Sequence, residues 1–244
     1  MYSFNQAPPD KHWHLLKEAC EAQANHLSPH QHCTYAKIEA DDILAAFLNR
    51  TKPLTYAEKM LHNSAQAVID FIEILNTREK AIKAKHDGDS KTELTAYLTT
   101  PLQFQRIMGK IDAHLTRYWY HMFTYLEYVR DLRAIAKIYY SQGNYEEWFS
   151  YCQKMLNLFD TIIATGIKWG MLLETSDALR QKKVLLDHLR SEIDSTSHPY
   201  SKLIKEIVTK QDLSLKQQEE KFKKPKANAT SLAAEPTKKP GLSK

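Results

Sequence analysis

Residues 26 to 33 read HLSPHQHC, with Cys20, His12 and His14 shortly upstream. Imidazole and thiolate are the ligands zinc favours, so Cys20, His26, His30, His32 and Cys33 are the first residues to weigh for chemistry. A tetrahedral site needs four convergent ligands, usually in pairs set two to five residues apart. Neither CxxC nor HExxH occurs anywhere in the chain. Ser28-Pro29 reads as an N-cap followed by a first helical residue, which puts His30, His32 and Cys33 in one helical turn. Successive positions there diverge by about 100°, so His30 and His32 point apart. The expectation is no metal, with these histidines exposed or capping.

Carboxylate chemistry is no better served. Di-iron bundles place Glu-x-x-His on facing helices, and this chain contains no Glu-x-x-His. Asp41–Asp42 and Glu146–Glu147 are adjacent in sequence, which suits a solvated face and a helix start. Six glycines leave few places for a backbone to wrap a phosphate, and no Gly-x-Ser-x-Gly elbow is present. The residues therefore point away from an enzyme and away from any cofactor.

The elements that would position such residues are helices. The span from Leu102 to His198 holds no proline, and proline inside a helix costs about 3 kcal/mol. Thr55 opens TYAE and Ser90 opens SKTE, both with capping-box spacing. Thr100 opens TPLQ, with Pro101 suited to a first helical position. Helical spacing recurs in Met60, Leu61, Ser64, Val68, Phe71, Ile72 and Leu75, all apolar but for the small Ser64. A long helix is predicted from Ile107 to about Tyr140. A second runs from Tyr145 towards Leu189, with a break near Thr175–Ser176. The SQGN stretch between them forces an antiparallel pair. Residues 200 to 222 read as another amphipathic helix, with Leu203, Ile204, Ile207 and Val208 on one face. No segment alternates with period two. The fold class expected is all-α, an antiparallel helical bundle with two long central helices and a disordered C-terminal tail.

Composition agrees with a soluble globular chain, at 43% hydrophobic and 26% charged residues. Residues 223 to 244 hold six lysines and one glutamate, the whole of the net charge of +5, so the rest of the chain is neutral. A nucleic-acid-binding domain carries its basic excess on the folded surface, so no nucleic-acid partner is expected. The start of the chain has neither a basic n-region nor an apolar h-region, so no secretory signal is expected. Three widely spaced cysteines suit free thiols in a reducing cytosol. The division expected is a His-rich segment at 1–33, a helical bundle domain at 34–222 and a basic tail at 223–244. The tail suits weak contact with acidic surfaces.

Aromatic residues supply the remaining signal. In RYWYHMFTYLEYV, Tyr118, Trp119, Met122, Leu126 and Val129 fall on one half of a helix and read as core. Tyr120 and Tyr128 fall on the other half, among His121, Thr124 and Glu127. One reading is a central helix buried on most sides. The other is a partner surface, for which Tyr120, Tyr128 and Trp148 are the candidate partner-binding residues, since such rings are enriched at interfaces. Residues 139 to 158 resemble one tetratricopeptide repeat across its turn, through Tyr139, Gly143, Tyr145, Tyr151 and Leu156. Trp148 and Met155 stand where that repeat has small residues, and no second copy follows. The stretch therefore supports a helix–turn–helix and no peptide-binding array.

In size, all-helical build and a composition rich in Lys, Gln, His and Tyr but poor in glycine, the chain resembles the accessory subunits of the Dot/Icm type IVB secretion coupling complex of Legionella. That resemblance implies a non-enzymatic adaptor on the cytoplasmic side, docked onto subunits of the coupling complex, at the inner membrane through its partners, and helping to present effectors. Two other classes share some of its features. A translocated effector of that system would carry a flexible C-terminal signal, which Leu242 and Glu235 match and Lys238, Lys239 and Lys244 do not. A phasin-like granule coat would also use amphipathic helices, usually with more alanine.

Overall fold

The computed structural model describes residues 10–25, 30–48, 50–110, 118–194 and 200–223. These form eight α-helices and, among the described residues, no strand. They are α1 (Asp10–Ala24), α2 (His30–Leu48), α3 (Tyr56–His86), α4 (Ser90–Lys110), α5 (Tyr118–Ser141), α6 (Tyr145–Trp169), α7 (Leu172–Asp194) and α8 (Ser201–Lys223). The protein is all-α, as its periodicity predicts. Among the described residues no helix is long and apolar enough to cross a membrane. The readings for the first nine residues and for 224–244 lie outside the described residues.

Local chemistry explains the starts of α3, α4 and α6. Thr55 caps α3 in a full capping box: its side chain accepts from the Glu58 N–H, and the Glu58 carboxylate accepts from the Thr55 N–H. The start of α4 falls one residue earlier than expected. Asp89 is the capping side chain, accepting from the Thr92 N–H at 3.0 Å and the Thr92 hydroxyl at 2.6 Å, and Ser90 already lies within the helix.

Pro101 does not begin a helix either; it sits inside α4. Its missing N–H would leave the Tyr97 carbonyl without its helical donor. The Thr100 hydroxyl donates to that carbonyl at 3.0 Å, so the helix continues through the proline.

The predicted long helix from Ile107 to Tyr140 is not one piece. Phe104 on α4 and Tyr128 on α5 stack with ring centroids 5.1 Å apart. One continuous helix would separate them by about 36 Å at 1.5 Å per residue. Instead α5 packs back along α4. The turn after α5 is as predicted: Asn144 caps α6 by accepting from the Glu147 N–H, and Tyr139 stacks on Tyr151 across the hairpin.

The second predicted long run breaks at Gly170 and not at Thr175–Ser176. Gly170 closes α6 with φ 72°, a left-handed conformation that side chains other than glycine's disfavour. Thr175 lies within α7, its hydroxyl donating to the Met171 carbonyl. Helix α7 returns along α6, and the bare Cα of Gly166 admits Thr175. A Cβ there would stand 2.0 Å from the Thr175 hydroxyl oxygen and 3.1 Å from a Met122 methyl. Helix α8 follows as predicted, but Leu203 is exposed while Ile204, Val208, Gln211 and Leu215 are buried.

Each helix packs on the next in chain order. The further helix contacts that stand out join helices two apart: α1 with α3, α5 with α7, and α6 with α8. The result is a row of helices with two apolar clusters. One is built on Leu16, Ala36, Val68, Phe71, Leu75 and Phe104; the other centres on Trp148, Leu156, Phe159, Ile163 and Leu189. Helix α5 stands between them and is buried on both sides.

Candidate functional site

The histidine and cysteine residues of the N-terminal stretch face different neighbours. Cys20 on α1 is buried and accepts from Arg78 Nη1 at 3.6 Å. Cys33 on α2 is also buried, and burial pushes its thiol up to about 11. His30 is exposed, with Nε2 2.7 Å from a Glu79 carboxylate oxygen on α3. His26 and the side chain of His32 lie outside the described residues. Among the described residues no three Cys, His, Asp or Glu side chains are placed to share a metal ion. Burial, joined by the nearby Glu127 charge, also raises the Cys20 thiol well above its ordinary value. Neither thiol is poised as a thiolate nucleophile.

The strongest electrostatic feature lies between α1, α3 and α5. Arg78 is 2% exposed, and its Nε donates to Asp131 Oδ1 at 2.8 Å. Its Nη1 donates to Glu127 Oε2 at 2.6 Å and its Nη2 to the Glu127 carbonyl at 3.0 Å. Arg130 stands 3.5 Å from the same Glu127 oxygen and donates to the Cys20 carbonyl. Two cations thus meet two carboxylates. Burial alone would depress the Arg78 guanidinium, but Asp131 and Glu127 hold it above its ordinary value. Burial raises the Asp131 carboxyl, opposed by the Arg78 charge. Thr124 is buried, and Glu127, on the same half of this helix as Tyr128, is mostly covered because Arg78 comes from about fifty residues away to meet it, as a central helix buried on most sides requires.

A second network ties α6, α7 and α8 together. Lys182 is fully buried and donates to Asp160 Oδ1 at 2.6 Å, Gln218 Oε1 at 3.1 Å and Ser214 Oγ at 3.4 Å. Asp160 also accepts from the amides of Gln218 at 2.6 Å and Gln211 at 3.3 Å. Above it lies a shallow groove lined by Ala164, Ile167, Lys168, Ser214, Gln217 and Lys221.

Burial works to raise the Asp160 carboxyl, but the hydrogen bonds from Lys182 and Gln218, with the lysine charge, outweigh it and hold it below its ordinary value. A depressed carboxyl contributes stability above its unfolded value, about 4, and loses it as pH falls through the folded value. Amides of α8 are therefore expected to lose hydrogen-exchange protection first as pH drops below about 4. In Asp160→Asn that acid step should be missing; an unchanged profile would remove Asp160 as its cause.

The three residues expected to bind partners fare differently. Trp148 is 2% exposed, packed edge-on against Tyr140 and His188, so it is a core residue with no surface to offer. Tyr128 is half-buried and wedged between the two apolar clusters against Phe104. The side chain of Tyr120 lies outside the described residues. No family model, curated protein or solved structure matches the chain. Its function must be read from its own surfaces. Tyr35 and Ile38 on α2 are large, apolar and exposed, and aromatic clustering passes over them. The signal that finds them is a helix with apolar residues on both faces.

Proposed function

We propose that the protein is a non-enzymatic helical adaptor that acts by holding other proteins, as an accessory subunit of a type IVB secretion coupling complex concerned with effector recruitment. The observation that carries this reading is where the interior charges are spent. Arg78, Glu127, Asp131, Asp160 and Lys182 answer one another within seams between helices. Groups paired in that way hold helices in register. What remains is the outer surface of a row of helices, an architecture suited to broad protein contacts. The secretion-system assignment rests on size, helical build and composition. Under this reading the chain needs no cofactor and no nucleic acid, and reaches the cytoplasmic face of the inner membrane through its partners.

Affinity capture from native cells, followed by mass spectrometry, tests it. Recovery of coupling-complex subunits at stoichiometric levels is the expected result. Recovery of the protein in the recipient cell after translocation, or with storage granules, would replace the reading with an effector or a granule coat.

A further inference from the structure

Helices α6, α7 and α8 bring three features to one end of the row. The first is an apolar tip. Gly170 ends α6, and directly after the turn stand Leu172, 65% exposed, and Leu173, 83% exposed, with Trp169 and Met171 partly covered beside them. The second is a cationic groove between α6 and α8, lined by apolar Ala164 and Ile167 and by Lys168, Gln217 and Lys221. Among the described residues no carboxylate lines it, and the nearby Asp160 is engaged by Lys182. The third is the end of α8. This helix runs antiparallel to α7, since Arg190 pairs with Asp212 and Lys182 with Gln218, so Lys223 comes towards the start of α7. The carboxylates nearby in sequence are Glu174, Glu219 and Glu220. Glu220 is exposed and turned about 100° from Lys221 around α8, away from the groove.

We infer that this end of the bundle docks directly onto the surface of an anionic lipid bilayer. Leu172 and Leu173 enter the interface, and Lys168 and Lys221 meet lipid phosphates. The charge of the chain selects the occupant. Residues 223 to 244, which continue from the end of α8, hold six lysines and one glutamate, while the rest of the chain is neutral. A polybasic segment is drawn to the negative potential of an anionic leaflet. One apolar anchor by itself binds a membrane marginally, and a second, basic signal makes the contact stable. The shape agrees, because adjacent leucines at the tip of a helical hairpin enter a fluid interface without a matching socket. Among the described residues no helix can cross the bilayer, so the contact is interfacial. It adds to any attachment made through partners.

Co-sedimentation of the full chain with vesicles tests this. Vesicles of phosphatidylglycerol and phosphatidylcholine in equal parts should bind it, and vesicles of phosphatidylcholine alone should bind it far less. Added salt should weaken the binding. Leu172→Asn with Leu173→Asn should lower the partition coefficient by roughly tenfold or more, with the melting temperature unchanged because both side chains are exposed. Lys168→Glu with Lys221→Glu should lower it by roughly tenfold as well. A chain that binds neither vesicle, or both equally, would overturn the inference. So would a leucine variant that binds as the parent does, since the basic tail alone would then account for the contact. Vesicle binding without recovery of coupling-complex subunits would leave this inference standing and remove the proposed function.

Discussion

Replacing Arg78 by Ala is expected to lower the unfolding free energy by about 3–5 kcal/mol. The side chain is sealed from solvent, and its removal strands Asp131, itself 2% exposed, without a cation. Glu127 keeps Arg130 at 3.5 Å, so the loss falls mainly on Asp131. Lost stacking of the guanidinium over Phe104, 5.8 Å from its centroid, adds to the effect. Denaturant unfolding of the variant measures it. A loss near 1 kcal/mol would mean that water reaches Asp131 and that the seam is wet.

Trp148→Ala is expected to cost about 3–5 kcal/mol, the range for removing a large buried aromatic. The indole sits among Tyr140, Tyr145, Phe149 and His188 at the α5–α6 turn, with α7 across it. For a chain of this size the midpoint of thermal unfolding should fall by roughly 10 °C. The outcome separates core from interface: an interface tryptophan would lose partner binding and leave the melting temperature alone. Thermal unfolding followed by circular dichroism distinguishes the two.

Features set by neighbours in sequence were legible without the fold. The Thr55 capping box, the tight turn before Asn144 and the buried face of α3 all depend on residues within a turn or two of one another. The Thr100–Pro101 pair misleads because two local solutions exist. Proline can begin a helix, or a preceding threonine can supply the bond that proline lacks, and the second holds here. Gly166 and Gly170 look alike in sequence, yet one admits Thr175 and the other ends the helix in a left-handed turn. The polar half of α5 was the least legible. Thr124, Glu127 and Asp131 have the spacing of a solvated face, and only the arrival of Arg78 from α3 makes that half interior. Tyr128, on the same half, is compatible in sequence with a buried central helix or with a partner surface, and its packing between the two clusters favours the first.

On the proposed reading the charged interior serves the fold while the outer faces meet partners. The paired substitution Arg78→Met with Asp131→Leu separates the two roles. Exchanging a buried ion pair for apolar side chains of similar size is often neutral or stabilising, where removing one partner is not. The double variant should unfold at or near the parent's denaturant midpoint and capture the same proteins from native cells in the same amounts. A double variant that is as stable as the parent yet captures nothing would place function in the ion network itself and rule out an adaptor role for the outer faces alone.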